Sequence, residues 1–342
     1  MFGTRPLRTV FAAGAIALTA LTAACGSSSS GGSAGGSDDA GSGGLQGKTI
    51  ALVGYGAASP WGAAFNKKFD ELLAPTGAKV VDLTTMDAGT QTQNFNQAIA
   101  EKPDLIVSAL LDTKAMVVPI EKAKQAGVPV LLFDAAPDPS VADDVMGVYS
   151  DNKTLGEAAA QNIVEGLKAQ GKTSGNVIVL EGTASMLVTQ DRMTGFNEVM
   201  SQNPGYKVIE TQDTNWDPTL SGQVAQQLFA KYGCDGIDAA YGMADYMAVP
   251  IVQAAKQAGC KLGGDDGIII TGGNCFKAGI QAIKAGDMYG TATEDPITLA
   301  NQTFQYIQQY FGGENPPRTE LVKEDRVTKA NLSQYEEQCT QA

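Results

Sequence analysis

The chain is 342 residues long and acidic, with 37 Asp and Glu against 24 Lys and Arg and a net charge of −13. No basic patch interrupts that balance, which argues against nucleic acid and anionic lipid surfaces as partners. The chain contains no histidine, so Ser-His-Asp and Cys-His nucleophilic machinery is excluded, the commonest metal ligand is missing, and neither a metal nor a cofactor is expected.

At the N-terminus, Arg5 and Arg8 form a short basic region, and Val10 to Ala24 is uncharged and apolar or small. A bilayer-spanning helix needs roughly 20 apolar residues, so this run reads instead as a secretory signal. It ends in Leu21-Thr22-Ala23-Ala24-Cys25-Gly26, which resembles the bacterial lipobox. That resemblance makes residues 1–24 a lipoprotein signal peptide and Cys25 the lipidated, membrane-anchoring residue of the mature chain. The stretch that follows, GSSSSGGSAGGSDDAGSGG from Gly26 to Gly44, has too little apolar surface to offset chain entropy. Residues 25–45 are therefore expected to be a flexible tether. Anchor and tether place the body on the outer face of the bacterial cell membrane or in the periplasm.

The remaining body, from Leu45, exceeds the usual size of a single hydrophobic core, so two domains are expected. Lys48–Val53 is an apolar strand, and Trp61–Leu73 has helical spacing. Lys79–Leu83 is the next strand, followed by a helix with Phe95 and Ile99 on one face. A strand at Asp104–Leu110, a helix closing at Gly127 and a strand at Val128–Phe133 complete the first half. Further strands are expected at Asn176–Leu180, Tyr206–Thr211, Ile237–Tyr241 and Gly267–Thr271, each separated by a helix-length segment. Short apolar strands alternating with helices give an α/β fold of two doubly wound parallel sheets. Ligands then bind beyond the C-terminal strand ends, in a cleft between the domains.

Gly54-Tyr55-Gly56 looks like the opening of a dinucleotide fingerprint, but Ser59 stands where the third glycine belongs. The pairs Asp143-Asp144 and Glu336-Glu337 read as solvated surface. Beyond Cys25 there are four cysteines, Cys234, Cys260, Cys275 and Cys339, none in CxxC spacing. Outside the cytosol an even number implies disulfides, with three connectivities open. Strand placement favours Cys234–Cys260, because both precede neighbouring parallel strands. Cys275–Cys339 would then pin the C-terminal tail.

Five segments carry a broader resemblance: IALVGYGAASPWGAAF (50–65), AGVPVLLFDAAP (126–137), VYSDNKTLGEAAAQ (148–161), TQDRMTGF (189–196) and AAYGMADYMAVP (239–250). In order and spacing they resemble the type I periplasmic sugar-binding proteins, the group that contains ribose-binding protein, over Gly47 to about Val327. The resemblance implies two lobes, 46–150 with 295–324 and 151–294 with 325–342, joined by three crossing segments that close like a hinge on a ligand. It implies that Trp61 and Trp216 stack on the ligand from opposite lobes. Asp134 accepts from hydroxyls, and Arg192 offers a planar fork of donors. Asn274 stands where the family has an Asp, with a helix N-cap as the alternative role. Glu294 stands where the family has a hinge Gln, and Asp245 lies beside the cleft. Ala244, Ala135 and Ala109 replace polar family residues. This argues against a pentose read through those contacts and leaves another sugar, a polyol or another polar molecule.

The implied function is solute capture for an ABC importer, with a permease and its cytoplasmic ATPase as partners and no enzymatic activity. A sensory module for a membrane receptor or kinase would use the same cleft, and the sequence does not separate the two. A DNA-binding regulator of similar fold is disfavoured by the export signal. Fractionation checks the anchor: a Cys25→Ala chain is expected in the medium or as unprocessed precursor, and a correctly cleaved, membrane-bound mutant would contradict it.

Overall fold

The computed structural model describes residues 44–342, so the signal segment, Cys25 and nearly all of the tether lie outside it. The first half runs β1 (Thr49–Leu52), α1 (Pro60–Leu73), β2 (Lys79–Asp82), α2 (Ala88–Glu101), β3 (Leu105–Ser108), α3 (Val117–Ala126), β4 (Val130–Asp134) and β5 (Met146–Ser150). The second runs α4 (Asn152–Ala169), β6 (Gly175–Glu181), α5 (Leu187–Ser201), β7 (Tyr206–Asp213), α6 (Pro218–Tyr232), β8 (Ala239–Gly242), α7 (Asp245–Gln257), β9 (Ile269–Thr271), α8 (Lys277–Ala285) and β10 (Gly290–Ala292). The chain then returns through α9 (Pro296–Phe311) and β11 (Thr319–Val322), and ends with β12 (Arg326–Thr328) and α10 (Leu332–Cys339).

These strands form two six-stranded sheets, in the orders β11-β5-β4-β3-β1-β2 and β12-β10-β9-β8-β6-β7. The central strands are buried on both faces because helices cover both sides, so they read as continuous apolar runs such as LIVS and VLLFD. The helices start where side chains meet the first free N–H groups. Ser59 caps α1 with Pro60 behind it, and Asp87, Asp151, Asp217 and Asp295 cap α2, α4, α6 and α9. The first core is aromatic: the Phe65 and Phe133 rings stack with centroids 4.1 Å apart and planes 5° from parallel.

The chain crosses between sheets three times, from β5 into α4, from β10 into α9 and from β11 into β12. The last crossing departs from the expected purely parallel pattern, since β12 pairs with β10 antiparallel. β10 leaves its sheet towards the crossing and β12 re-enters from it, so the two run in opposite directions. Four strands absent from the sequence expectation, β5, β10, β11 and β12, are short pieces (MGVYS, GTA, TELV, RVT) with too few aliphatic residues to stand out. Cys234 is bonded to Cys260 with Cα atoms 5.3 Å apart, and Cys275 to Cys339 with Cα atoms 4.8 Å apart, the second bond tying α10 to the loop that opens α8.

Helices α4 and α5 touch backbone to backbone. A Cβ on Gly156 would lie 1.8 Å from the carbonyl oxygen of Arg192, and one on Gly195 would lie 2.0 Å from that of Lys153. Only glycine permits this approach, and it sets the depth at which Arg192 enters the space between the sheets. Alanine is the better helix former, by about 1 kcal/mol, yet Gly156→Ala is expected to destabilise by about 1–3 kcal/mol, because the clash outweighs propensity. Denaturant unfolding measures this, and an unchanged or raised midpoint would contradict the close approach.

Candidate functional site

A narrow cavity of about 30 Å³ lies between the two sheets, well below the volume of an open small-molecule site, as expected of two lobes closed on each other. β1 and β4 deliver the first wall. Tyr55 follows β1, and Asp134 is the last residue of β4. The Tyr55 hydroxyl donates to Asp134 Oδ2 at 3.0 Å, and Asn152 Nδ2 donates to Oδ1 at 3.2 Å. Trp61, in the first turn of α1, runs nearly parallel to Phe65 and Phe133, at 12° and 13°. Its neighbours thus hold the indole in place while the residue lines the cavity.

The second wall is organised by Arg192, which is 2 % exposed. Its Nε donates to Asn152 Oδ1 at 2.8 Å. Nη1 donates to the Met243 carbonyl and to Asn274 Oδ1, both at 3.0 Å, and Nη2 donates to Glu294 Oε2 at 3.1 Å. Asn274 Nδ2 also donates to Glu294 Oε2. The guanidinium carbon lies 5.2 Å from the centroid of the Trp216 ring. Trp216 rests one face on Gly182, where a Cβ would sit 1.9 Å from the ring. Tyr246, at the start of α7, completes this side.

Backbone strain concentrates here. Among the described residues six non-glycines have positive φ; Lys102 ends a helix, and the others are Asp134, Asn215, Trp216, Asn274 and Cys275. Left-handed backbone at such residues is held only where surroundings over-determine it, and it collects at ligand sites. Asp134 at φ 70° turns its carboxylate back across the end of its sheet to Tyr55 and Asn152.

Six of the seven sequence-named ligand residues, Trp61, Asp134, Arg192, Trp216, Asn274 and Glu294, line this one cavity. Asp245 does not. Its carboxylate turns into the second lobe, accepting from Thr291 Oγ1 at 2.7 Å and from the Phe276 backbone N–H at 2.8 Å, and burial pushes it up to about 7. It braces the loop before α8, because carboxylate oxygens removed from water must find donors within the lobe. Asn274 is not a helix cap: α8 begins at Lys277, and the Asn274 amide is spent on Arg192 and Glu294. Tyr55, Asn152 and Tyr246 were not singled out from sequence, although each lies within a quoted segment. Tyr55 and Asn152 flank strand ends, the one available signal. Among the described residues no group of acidic and cysteine side chains could hold a metal ion.

The family model of the periplasmic binding protein domain matches residues 50–315. The chain belongs to this family. Among its relatives, the fructose import binding protein FruE of Bifidobacterium longum is 27% identical over 272 residues, covering 78% of this chain and 80% of that protein. The xylitol-binding protein of Mycolicibacterium smegmatis is 24% identical over 247 residues, 72% of this chain and 67% of the relative. A Mycobacterium smegmatis structure in complex with β-D-fucofuranose superposes with a TM-score of 0.76 at 23% identity, covering 84% of this chain and 93% of that one. A solute-binding protein of Bacillus halodurans with bound myo-inositol gives a TM-score of 0.75 at 18% identity, over 86% and 98%. These structures share the fold.

In this periplasmic binding protein the crossings carry buried acids. Glu294 and Asp295 stand on the second, and Glu324 on the third. Thr293 Oγ1 donates to Glu324 Oε2 at 3.0 Å. Burial, reinforced by Asp295, pushes Glu324 up from 4.5 to about 8. Near pH 4 it is neutral in folded and unfolded chains alike. As pH rises towards 8 the unfolded chain ionises first, so the folded state loses stability. Glu324→Gln is therefore expected to raise Tm by several degrees at about pH 8.5 and to leave it nearly unchanged at about pH 4. Equal shifts at both pH values in a thermal melt would contradict the buried, neutral carboxyl.

Proposed function

We propose that the protein is an extracytoplasmic solute-binding lipoprotein that captures a sugar or polyol between its lobes and delivers it to an ABC importer. The observation that carries this reading is the cavity itself, which is walled by Trp61 from one lobe and Trp216 from the other and spanned by Arg192 reaching to Glu294 on a crossing segment. Flat aromatic walls suit the C–H faces of a sugar, and the charged groups suit its hydroxyls. Relatives named for fructose and xylitol, and fold neighbours holding a furanose and an inositol, support the same class. The lobes are 46–150 with 295–324 and 151–294 with 325–342. Trp61, Asp134, Arg192, Trp216, Asn274 and Glu294 contact the ligand, together with Tyr55 and Tyr246.

A ligand touching both lobes binds the closed form more tightly and so shifts the population towards it. The closed form then docks on the permease. Family members are binding proteins, and this protein binds and releases its ligand without turnover. Among the described residues no helix is long and apolar enough to cross a membrane. Lipidated Cys25 supplies the attachment.

Thermal-shift screening of the purified chain against sugars, polyols and nucleosides tests the reading. A sugar or polyol is expected to raise Tm in proportion to ln(1 + [L]/Kd), and Trp61→Leu is expected to weaken that ligand by about 3- to 10-fold. Stabilisation by nucleosides alone would redirect the ligand class.

A further inference from the structure

The cavity is short of positive charge. Its walls carry two carboxylates, Asp134 and Glu294, against one cation, Arg192, and no lysine lines it. The chain has no histidine to make up the difference. Behind the wall lie Asp295 and Glu324, 2 % and 7 % exposed, and neither brings a positive charge. Four of the five Arg192 N–H groups are committed, to Asn152, Met243, Asn274 and Glu294 Oε2. None of these bonds reaches Asp134.

Three buried polar atoms on the cavity walls have no partner: Glu294 Oε1, Trp61 Nε1 and Trp216 Nε1. Glu294 is 2 % exposed, so its free oxygen cannot be satisfied by bulk water. An unmet carboxylate oxygen in such a place is costly unless a donor arrives, and a charged donor meets it best. The two indole N–H groups have the opposite need: they are donors that require oxygen acceptors. A neutral sugar satisfies the indoles and leaves the charge excess standing. A bare metal ion or small ammonium ion balances the charge and leaves the indoles unmet.

We infer that the ligand is a polyhydroxylated molecule bearing a protonated primary amine, an amino sugar or aminocyclitol, whose ammonium donates to Glu294 Oε1 while its hydroxyl oxygens accept from Trp61 and Trp216. The inference rests on the sugar or polyol reading above and narrows it. Burial, with Asp134 next, pushes Glu294 well above its ordinary range. The other ionisable groups facing Glu294 are Asp134, Arg192, Asp295, Glu324, Tyr55 and Tyr246, and only Arg192 among them is a cation.

Calorimetric titration of the full purified chain with matched pairs tests this: D-glucosamine against D-glucose, D-galactosamine against D-galactose, and an amino-deoxyinositol against myo-inositol. At least one aminated member is expected to bind about 10-fold or more tightly than its neutral parent. Glu294→Gln is expected to bring that ratio to within about 2-fold. Neutral parents that bind as tightly as their amines, or a ratio that survives Glu294→Gln, would overturn the amine and leave the sugar reading standing. Binding by no member of any pair would overturn the amine, and the thermal-shift panel decides the sugar reading separately. Should the variant fail to fold, the ratio for the unmodified chain decides alone.

Discussion

A guanidinium taken out of water must have its N–H groups met by protein, or the fold pays more in lost hydration than packing returns. Arg192 is that group, and its partners come from separate parts of the chain: Asn152 at the start of α4, Met243 after β8, Asn274 before α8 and Glu294 on a crossing segment. One side chain thus fixes the second lobe's loops relative to the hinge. Asn152 extends the chain of bonds to Asp134, and Asp134 extends it to Tyr55 in the first lobe. The network runs from one wall of the cavity to the other without leaving the protein interior. Buried polar networks of this kind specify a single arrangement because each member is needed by the next.

The depth of Arg192 is set by glycine. Without Gly156 and Gly195 the α4 and α5 backbones could not meet at the residue that carries the guanidinium. Packing between two helices far from solvent therefore governs the chemistry of the cavity. The same economy appears at Gly182, whose missing side chain makes room for the Trp216 ring. Such positions do no chemistry, but they place the residues that do.

Carboxylates at the crossings give the hinge its electrostatic character. Glu294, Asp295 and Glu324 are buried where the chain passes between lobes, and burial raises all three. When lobes of this architecture separate, groups at the crossing gain water and ionise more readily; when they close, protons or a ligand cation must take the place of water.

Much of the architecture was legible in the residue order. Continuous apolar runs such as LIVS and VLLFD announce strands covered on both faces, and helices between them force a doubly wound sheet. Two tryptophans, an arginine in TQDRMTGF and an aspartate ending VPVLLFD were picked out through the resemblance to sugar-binding proteins, and all four line the cavity. The sequence could not show which way a side chain turns. Asp245 and Tyr246 are neighbours on α7, yet one faces the second lobe's interior and the other the cavity, a matter of helix phase against loops far away in the chain. Short crossing strands such as GTA and RVT carry no pattern of their own, and β12 runs antiparallel only because the chain must return through the hinge that β10 left by. Composition and periodicity determined that there would be two sheets and a cleft. Only the tertiary contacts decided that Arg192 would be held by Asn152, Met243, Asn274 and Glu294 Oε2 while Glu294 Oε1 stays unmet, because hydrogen-bond satisfaction is a property of assembled surroundings and not of the residue.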